Sequence, residues 1–181
     1  MFEFALLGLL HEAPMHGYEL RKRLHDLLGA FRAFSYGSLY PTLRRLQRAG
    51  LIVEEGPEES ALSWGRRARK VYKLTPEGKE RFAELLANAG PQTWDDDSFG
   101  VHLAFFSRTP ADVRMRILEG RRRCVEERRE GLRERLTRTG EQIDRYTREL
   151  HRQGLESTER EVRWLNELIA HEQHEQSEQD E

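Results

Sequence analysis

The sequence holds a single cysteine, Cys124, among 181 residues, so no disulfide can form within the chain. That composition fits a reducing compartment. Long apolar runs are missing too. The N-terminal FEFALLGLLHEAP is too short to span a bilayer, and it lacks the basic start and small-residue cleavage site of a secretory signal. The reading is a cytoplasmic protein without a membrane partner. No Gly-rich phosphate loop, nucleophile motif or pair of carboxylates in an apolar setting occurs, which argues against an enzyme; no cofactor is expected. Lysine is scarce, 4 residues against 26 arginines.

The formal net charge of −2 hides an asymmetry. Residues 1–90 hold 14 Lys+Arg against 11 Asp+Glu, and residues 91–181 hold 16 against 21. Within the basic half, one stretch has no acid at all: Ser35 to Gly50, SYGSLYPTLRRLQRAG, with Arg44, Arg45 and Arg48. Leu39, Leu43 and Leu46 recur there at helical spacing, so one face can pack while another carries charge. Such a helix suits a polyanion, and arginine can meet guanine with two hydrogen bonds while hydroxyl groups bond phosphates. Taken alone, three arginines equally describe an ordinary solvated face.

The surrounding elements decide between the two. Phe2 to Glu12 reads as a helix apolar nearly all round, and His16 to about Leu28 as a second helix stopped at Gly29. Ser35 is a good N-cap for the third, with Pro41 in its first or second turn. Leu51 to Val53 and Arg69 to Thr75 read as strands around the polar, arginine-bearing stretch 54–68, which holds Arg66 and Arg67. Thr75-Pro76 opens a fourth helix. Three helices followed by a hairpin is the order of a winged helix-turn-helix.

The second half reads differently. Residues 89–98 form a linker, followed by a short apolar segment with Phe99, Phe105 and Phe106. A long helix from Asp112 to about Arg152 carries Leu118, Val125 and Leu132, then Leu136, Ile143 and Leu150, at sevens. Gly154 breaks it, Leu155 to His171 forms a last helix, and 173–181 is an acidic polar tail expected to fray. The expected fold is mainly α with a small β-hairpin wing. A winged helix-turn-helix over 1–88 is followed by a long-helix dimerisation domain over 99–172.

Gly8-Leu9-Leu10, HGYEL (16–20), SYGSLYPTLRRL (35–46), AGLI (49–52) and RKVYKLTPEG (69–78) together resemble the PadR family of bacterial transcription regulators. The second half is similar to the family's larger subgroup. The resemblance implies a homodimer on a palindromic double-stranded operator, most simply a repressor. It implies DNA contacts by Tyr18 near a phosphate, by Ser35, Ser38, Tyr40, Pro41, Thr42, Arg44 and Arg45 on or near the groove-facing helix, and by Arg69 and Lys70 at the wing base. Arg67 joins them from the basic wing itself. Tyr40 can equally pack inward. The resemblance also implies a small hydrophobic or aromatic effector, for which Trp94, Phe99, Phe105 and Phe106 are the candidate readers; packing alone is the other account of these aromatics. A winged helix serving only protein–protein contact is the alternative function. A redox role for Cys124 and a metal role for His171 and His174 are the less favoured readings of those residues.

Overall fold

The structure, a computed structural model, describes residues 1–29, 36–56, 70–139 and 143–179. The chain divides into two compact units, one formed by 1–88 and 96–109, the other by 89–95 and 110–181. Residues 96–109 therefore join the first unit, although the composition of 89–98 suggests a linker and 99 onward a second domain.

The first unit is a winged helix. Helix α1 (Phe2–Glu12) is buried continuously from Phe4 to Leu10, as its all-round apolar sequence requires. Helix α2 (Gly17–Leu28) buries Leu20, Leu24 and Leu28 at four-residue spacing. A single 3₁₀ turn, Tyr36–Ser38, leads into α3 (Leu39–Arg48), whose Leu39, Leu43 and Leu46 face the core. The N-cap of α3 is Ser38, without a side-chain cap bond; Ser35, the expected cap, lies outside the described residues. Gly50 closes α3 at φ +72°, the left-handed conformation that favours glycine, with the Leu51 amide bonded back to the Leu46 carbonyl.

Strands β2 (Ile52–Glu55) and β3 (Val71–Leu74) pair antiparallel, Ile52 opposite Leu74 and Glu55 opposite Val71. The sequence reading missed a third strand, β1 (Met15–His16), which pairs with the other edge of β3 to give the order β1-β3-β2. Two residues after Pro14 are too few to show a period-2 pattern. Thr75 caps α4 (Pro76–Leu86), its hydroxyl oxygen accepting from the Gly78 amide at 3.0 Å while the hydroxyl donates to the Gly50 carbonyl at 2.7 Å. The chain then returns through the short helix α5 (Phe99–Ala104) to place Phe105 against Phe4 and Phe82, ring centroids 5.2 and 5.8 Å away.

The second unit is built on α6 (Ala111–Thr139) and α7 (Arg145–Gln179). The ion pairs between them, Arg114–Glu172, Arg121–Glu161 and Arg133–Glu159, run in opposite order along the two helices, so they lie antiparallel. Val113, Ile117, Leu118 and Val125 of α6 and Val162, Leu165 and Ile169 of α7 are buried. The expected boundaries need correction here. The break falls between Thr139 and Arg145, and Gly154 sits inside a continuous α7. A glycine costs about 1 kcal/mol in a helix interior, too little to end a 35-residue helix packed along its length. Asp144 caps α7 instead, its carboxylate accepting from the Tyr146 and Thr147 amides at 2.8 and 3.1 Å. The acidic end also stays helical, to Gln179. The heptad run Leu136, Ile143, Leu150 thus straddles two helices, and Leu150 is exposed.

Candidate nucleic-acid interface

The buried leucine stripe of α3 dictates what its other side presents. Ser38, Tyr40, Pro41, Arg44, Arg45 and Arg48 are exposed and Thr42 is half-buried. Gly37, Ser38, Pro41, Thr42 and Arg45 line a shallow hollow of about 330 Å³ at the start of the helix. The Arg44 side chain folds back so that Nε donates to the Tyr40 carbonyl at 3.5 Å. Arg45 reaches across to α1, where its guanidinium meets Glu3 at 3.3 Å. Glu3 also receives Arg81 of α4 at 3.0 Å, and Arg81 is held in its charged form chiefly by its hydrogen bond to Glu3. One carboxylate therefore ties the third helix to two others.

Beside α3 lies a cleft of about 670 Å³ lined by His16, Gly17, Tyr18, Glu19, Tyr40, Lys70 and Tyr72. Tyr72 forms its buried floor; burial, then the Glu54 charge, pushes its phenol pKa up, so it stays protonated. Tyr40 settles between the two readings of it. Its ring passes beside Gly17, at a distance where an added Cβ would sit 3.3 Å from Cε1, yet the residue is 53% exposed. Tyr18, at the start of α2, is 77% exposed.

Lys70 closes the cleft and is not alone. Its ammonium meets Glu54 at 2.6 Å, and Glu54 also accepts from Gln47 Nε2 of α3 at 3.1 Å. The Lys70 hydrogen bond holds the Glu54 carboxyl below its ordinary range, and Glu54 in turn raises Lys70. Glu3, Gln47, Glu54, His16 and Tyr72 were not singled out from sequence. The signal for Glu54 was cross-strand: it pairs with Tyr72, which puts Lys70 on its diagonal. For Glu3 no short-range signal exists, since its partners lie 42 and 78 residues away. Of the expected DNA contacts, Ser35, Arg67 and Arg69 lie outside the described residues.

The aromatic set divides. Phe99 and Phe105 are buried in the first unit and Phe106 is half-buried there. Trp94 belongs to the second unit, its ring lying directly on Gly120 of α6, where a Cβ would collide with it. Arg121 donates to the Trp94 carbonyl at 3.3 Å. His171 and His174 pair with Glu175 and Glu178 one turn on, at 3.2 and 3.5 Å. Among the described residues no helix is long and apolar enough to cross a membrane.

Residues 6–84 match the model of the transcriptional regulator PadR-like family. A transcriptional regulator of Mycobacterium tuberculosis is 38% identical over 81 residues, 43% of this chain and 68% of that protein. The chain belongs to the PadR-like family of transcriptional regulators. The negative transcriptional regulator PadR of Bacillus subtilis is 26% identical over 91 residues, 50% of this chain but 48% of that protein, so about half of the relative's length is matched. Bacillus subtilis PadR, solved in complex with operator DNA, covers 94% of this chain and is itself covered to 98%, at 20% identity and a TM-score of 0.44.

Proposed function

We propose that this PadR-family chain is a sequence-specific DNA-binding repressor that acts in the cytoplasm as a homodimer, one winged helix on each half of a palindromic operator. The observation that carries this reading is the outer side of α3. It sets exposed Ser38, Tyr40, Arg44 and Arg45 opposite a fully buried leucine stripe, beside a cleft edged by Tyr18 and Lys70. Arg44 and Arg45 are the groove-reading residues, Thr42 and Ser38 bond phosphates, and Tyr18 and Lys70 position the duplex backbone. Arg67 and Arg69 add phosphate contacts. Pro41 stiffens the first turn that presents them. In a two-fold dimer the separation of the two α3 helices is near one turn of B-DNA, roughly 34 Å.

The reading includes an effector that is small and hydrophobic or aromatic. Such a ligand acts by preferring a dimer with a different separation of α3 helices, and shifts the population only by its differential affinity.

Selection of bound fragments from the source genome, followed by footprinting, tests the proposal. A protected two-fold site is expected, and Arg44→Ala with Arg45→Ala should abolish its protection while leaving the fold intact by circular dichroism. Unchanged binding by that pair would remove the central claim. It would favour a winged helix used for protein contact, the reading to which the carboxylates on Arg45 and Lys70 lend some weight.

A further inference from the structure

The buried stripe of Leu39, Leu43 and Leu46 fixes where the α3 arginines point. At 3.6 residues per turn, Arg44 and Arg45 lie about 130° to either side of that stripe. Arg45 takes the flank beside α1, where Oε2 of Glu3 accepts from its Nη2 at 3.3 Å. Oε1 of the same carboxylate accepts from Nε of Arg81 on α4 at 3.0 Å, and Nη1 of Arg81 donates to Glu84 at 3.1 Å. Charges therefore alternate along one row, Glu84, Arg81, Glu3 and Arg45, across three helices of the first unit.

Stability alone does not account for this row, because exposed ion pairs contribute little. The exposures along it differ. The Arg45 side chain is 66% exposed, whereas that of Glu3 is 24% exposed and is gripped from α4 as well as from α3. Glu3 is thus an anchored carboxylate with an arginine of the recognition helix resting on it. Its place in the first turn of α1 suits a negative charge, and Arg81 offsets that charge, so the carboxylate can stand next to a polyanion.

Arg45 keeps donors to spare. A guanidinium has five N–H donors, and the bond to Glu3 uses Nη2. Two donors suffice for O6 and N7 of guanine. Held in this way, the side chain has given up rotamer freedom before DNA arrives, which lowers the cost of a contact in the groove. It is also restrained from the swing to a nearby phosphate that a loose arginine makes on any sequence. Specificity is a difference between two affinities, and this one bond acts on both of them.

We infer that Glu3 is a positioning residue for DNA recognition, which aims Arg45 at a base edge while Arg81 holds Glu3 in place. The inference rests on the DNA-binding reading above and adds a specificity determinant outside the recognition helix.

Selection from a randomised duplex library tests it, with the full-length chain and its variants. The parent should enrich a two-fold motif. Glu3→Gln should enrich the same motif with base preference flattened at one position per half-site, the position that Arg45→Ala also flattens. On the selected duplex its affinity should fall about 2- to 10-fold per subunit. On a scrambled duplex of equal length it should hold or rise, with a salt slope steeper by about 0.9 per subunit as the loosened Arg45 reaches phosphate. In an Arg45→Ala background, Glu3→Gln should change neither affinity, the non-additivity expected of a residue that acts through another. Arg81→Gln should flatten the same position to a smaller degree. Circular dichroism establishes the fold of each variant, and if Glu3→Gln does not fold, Arg81→Gln carries the test. An unchanged motif, an equal loss on both duplexes, or the same loss in the Arg45→Ala background would overturn the inference and leave DNA binding standing. So would tighter binding to both duplexes, in which case Glu3 masks Arg45 and does not aim it. A parent that enriches no sequence would remove the DNA-binding reading and this inference with it.

Discussion

The two units of this chain are held together by different physics. The first has one contiguous apolar cluster, drawn from α1, α2, α3, α4, the sheet and the returning segment with Val101 and Phe105. Among its described residues the buried polar side chain is Thr109, whose hydroxyl donates back to the Phe105 carbonyl at 3.0 Å. The second, two long helices in which arginine and glutamate abound, buries a thinner apolar seam and adds Arg121 to it, 8% exposed, bonded to Glu161 at 2.6 Å. The first unit is stabilised by volume, the second by the register of specific partners. A DNA reader needs a rigid platform for one short helix, which dense packing supplies. Two long antiparallel helices can slide by a turn, and buried charge pairs penalise every register but one, which is the setting where such pairs best serve specificity.

The sharpest way to break the contrast is to remove volume from the first unit. Leu43 of α3 is fully buried, so Leu43→Ala should cost about 2–5 kcal/mol, the range for a leucine truncated in a packed core. Thermal unfolding followed by circular dichroism measures it. A loss below 1 kcal/mol would mean that α3 rests on its neighbours less tightly than its burial implies. In the second unit, Glu161→Ala leaves the Arg121 guanidinium without its carboxylate. The expected loss is about 3 kcal/mol, at the low end for a broken buried pair because the Trp94 carbonyl remains as an acceptor. Replacing both members, Arg121→Met with Glu161→Met, should recover most of that loss, since apolar substitutes of similar volume are often neutral. A double variant as unstable as the single one would show that the pair holds more than register. Smaller again is the cap of α7. Asp144→Ala removes the acceptor for the first α7 amides and should cost about 1 kcal/mol. Hydrogen exchange at Tyr146 and Thr147 would report it.

The same contrast explains what could be read in advance. The first unit was legible almost element by element, because its helices have clear apolar faces and its turns carry Gly50, Thr75 and Pro76. The family resemblance came from those same residues. What escaped was β1, too short to carry a period, and the ties from Glu3 and Glu54 that exist only once the chain has folded. In the second unit the break was misplaced. Gly154 looked like a stop because single-residue propensity was weighed without the α6 surface it packs on, near Leu132. The capping aspartate at 144 was the better signal. Continuous helix to Gln179 was hidden by a polar composition that disorder and a solvated helix share.

The smallest effect concerns the boundary between platform and ligand. Lys70 is a basic residue at the proposed backbone contact, yet Glu54 cancels its charge at 2.6 Å. Because the Lys70 hydrogen bond lowers the Glu54 pKa in the folded chain, this pair's contribution to stability is complete above the ordinary carboxylate range. It is lost only as pH falls through the depressed folded value. Stability between pH 6 and pH 8 should therefore be indifferent to this pair. Its effect appears instead in salt dependence. If each subunit neutralises about four phosphates, the slope of log K on log salt is roughly −7 for the dimer. Glu54→Gln keeps the shape and an acceptor for Gln47 but frees the Lys70 charge, so each subunit gains one phosphate and the slope steepens by about 0.9 per subunit. Binding to non-operator duplex should tighten with it, and the ratio of operator to non-operator affinity should fall. Adding Lys70→Met should restore the original slope if the freed charge is responsible. An unchanged slope in Glu54→Gln would place Lys70 away from phosphate and leave Glu54 as a tie between α3 and the wing alone.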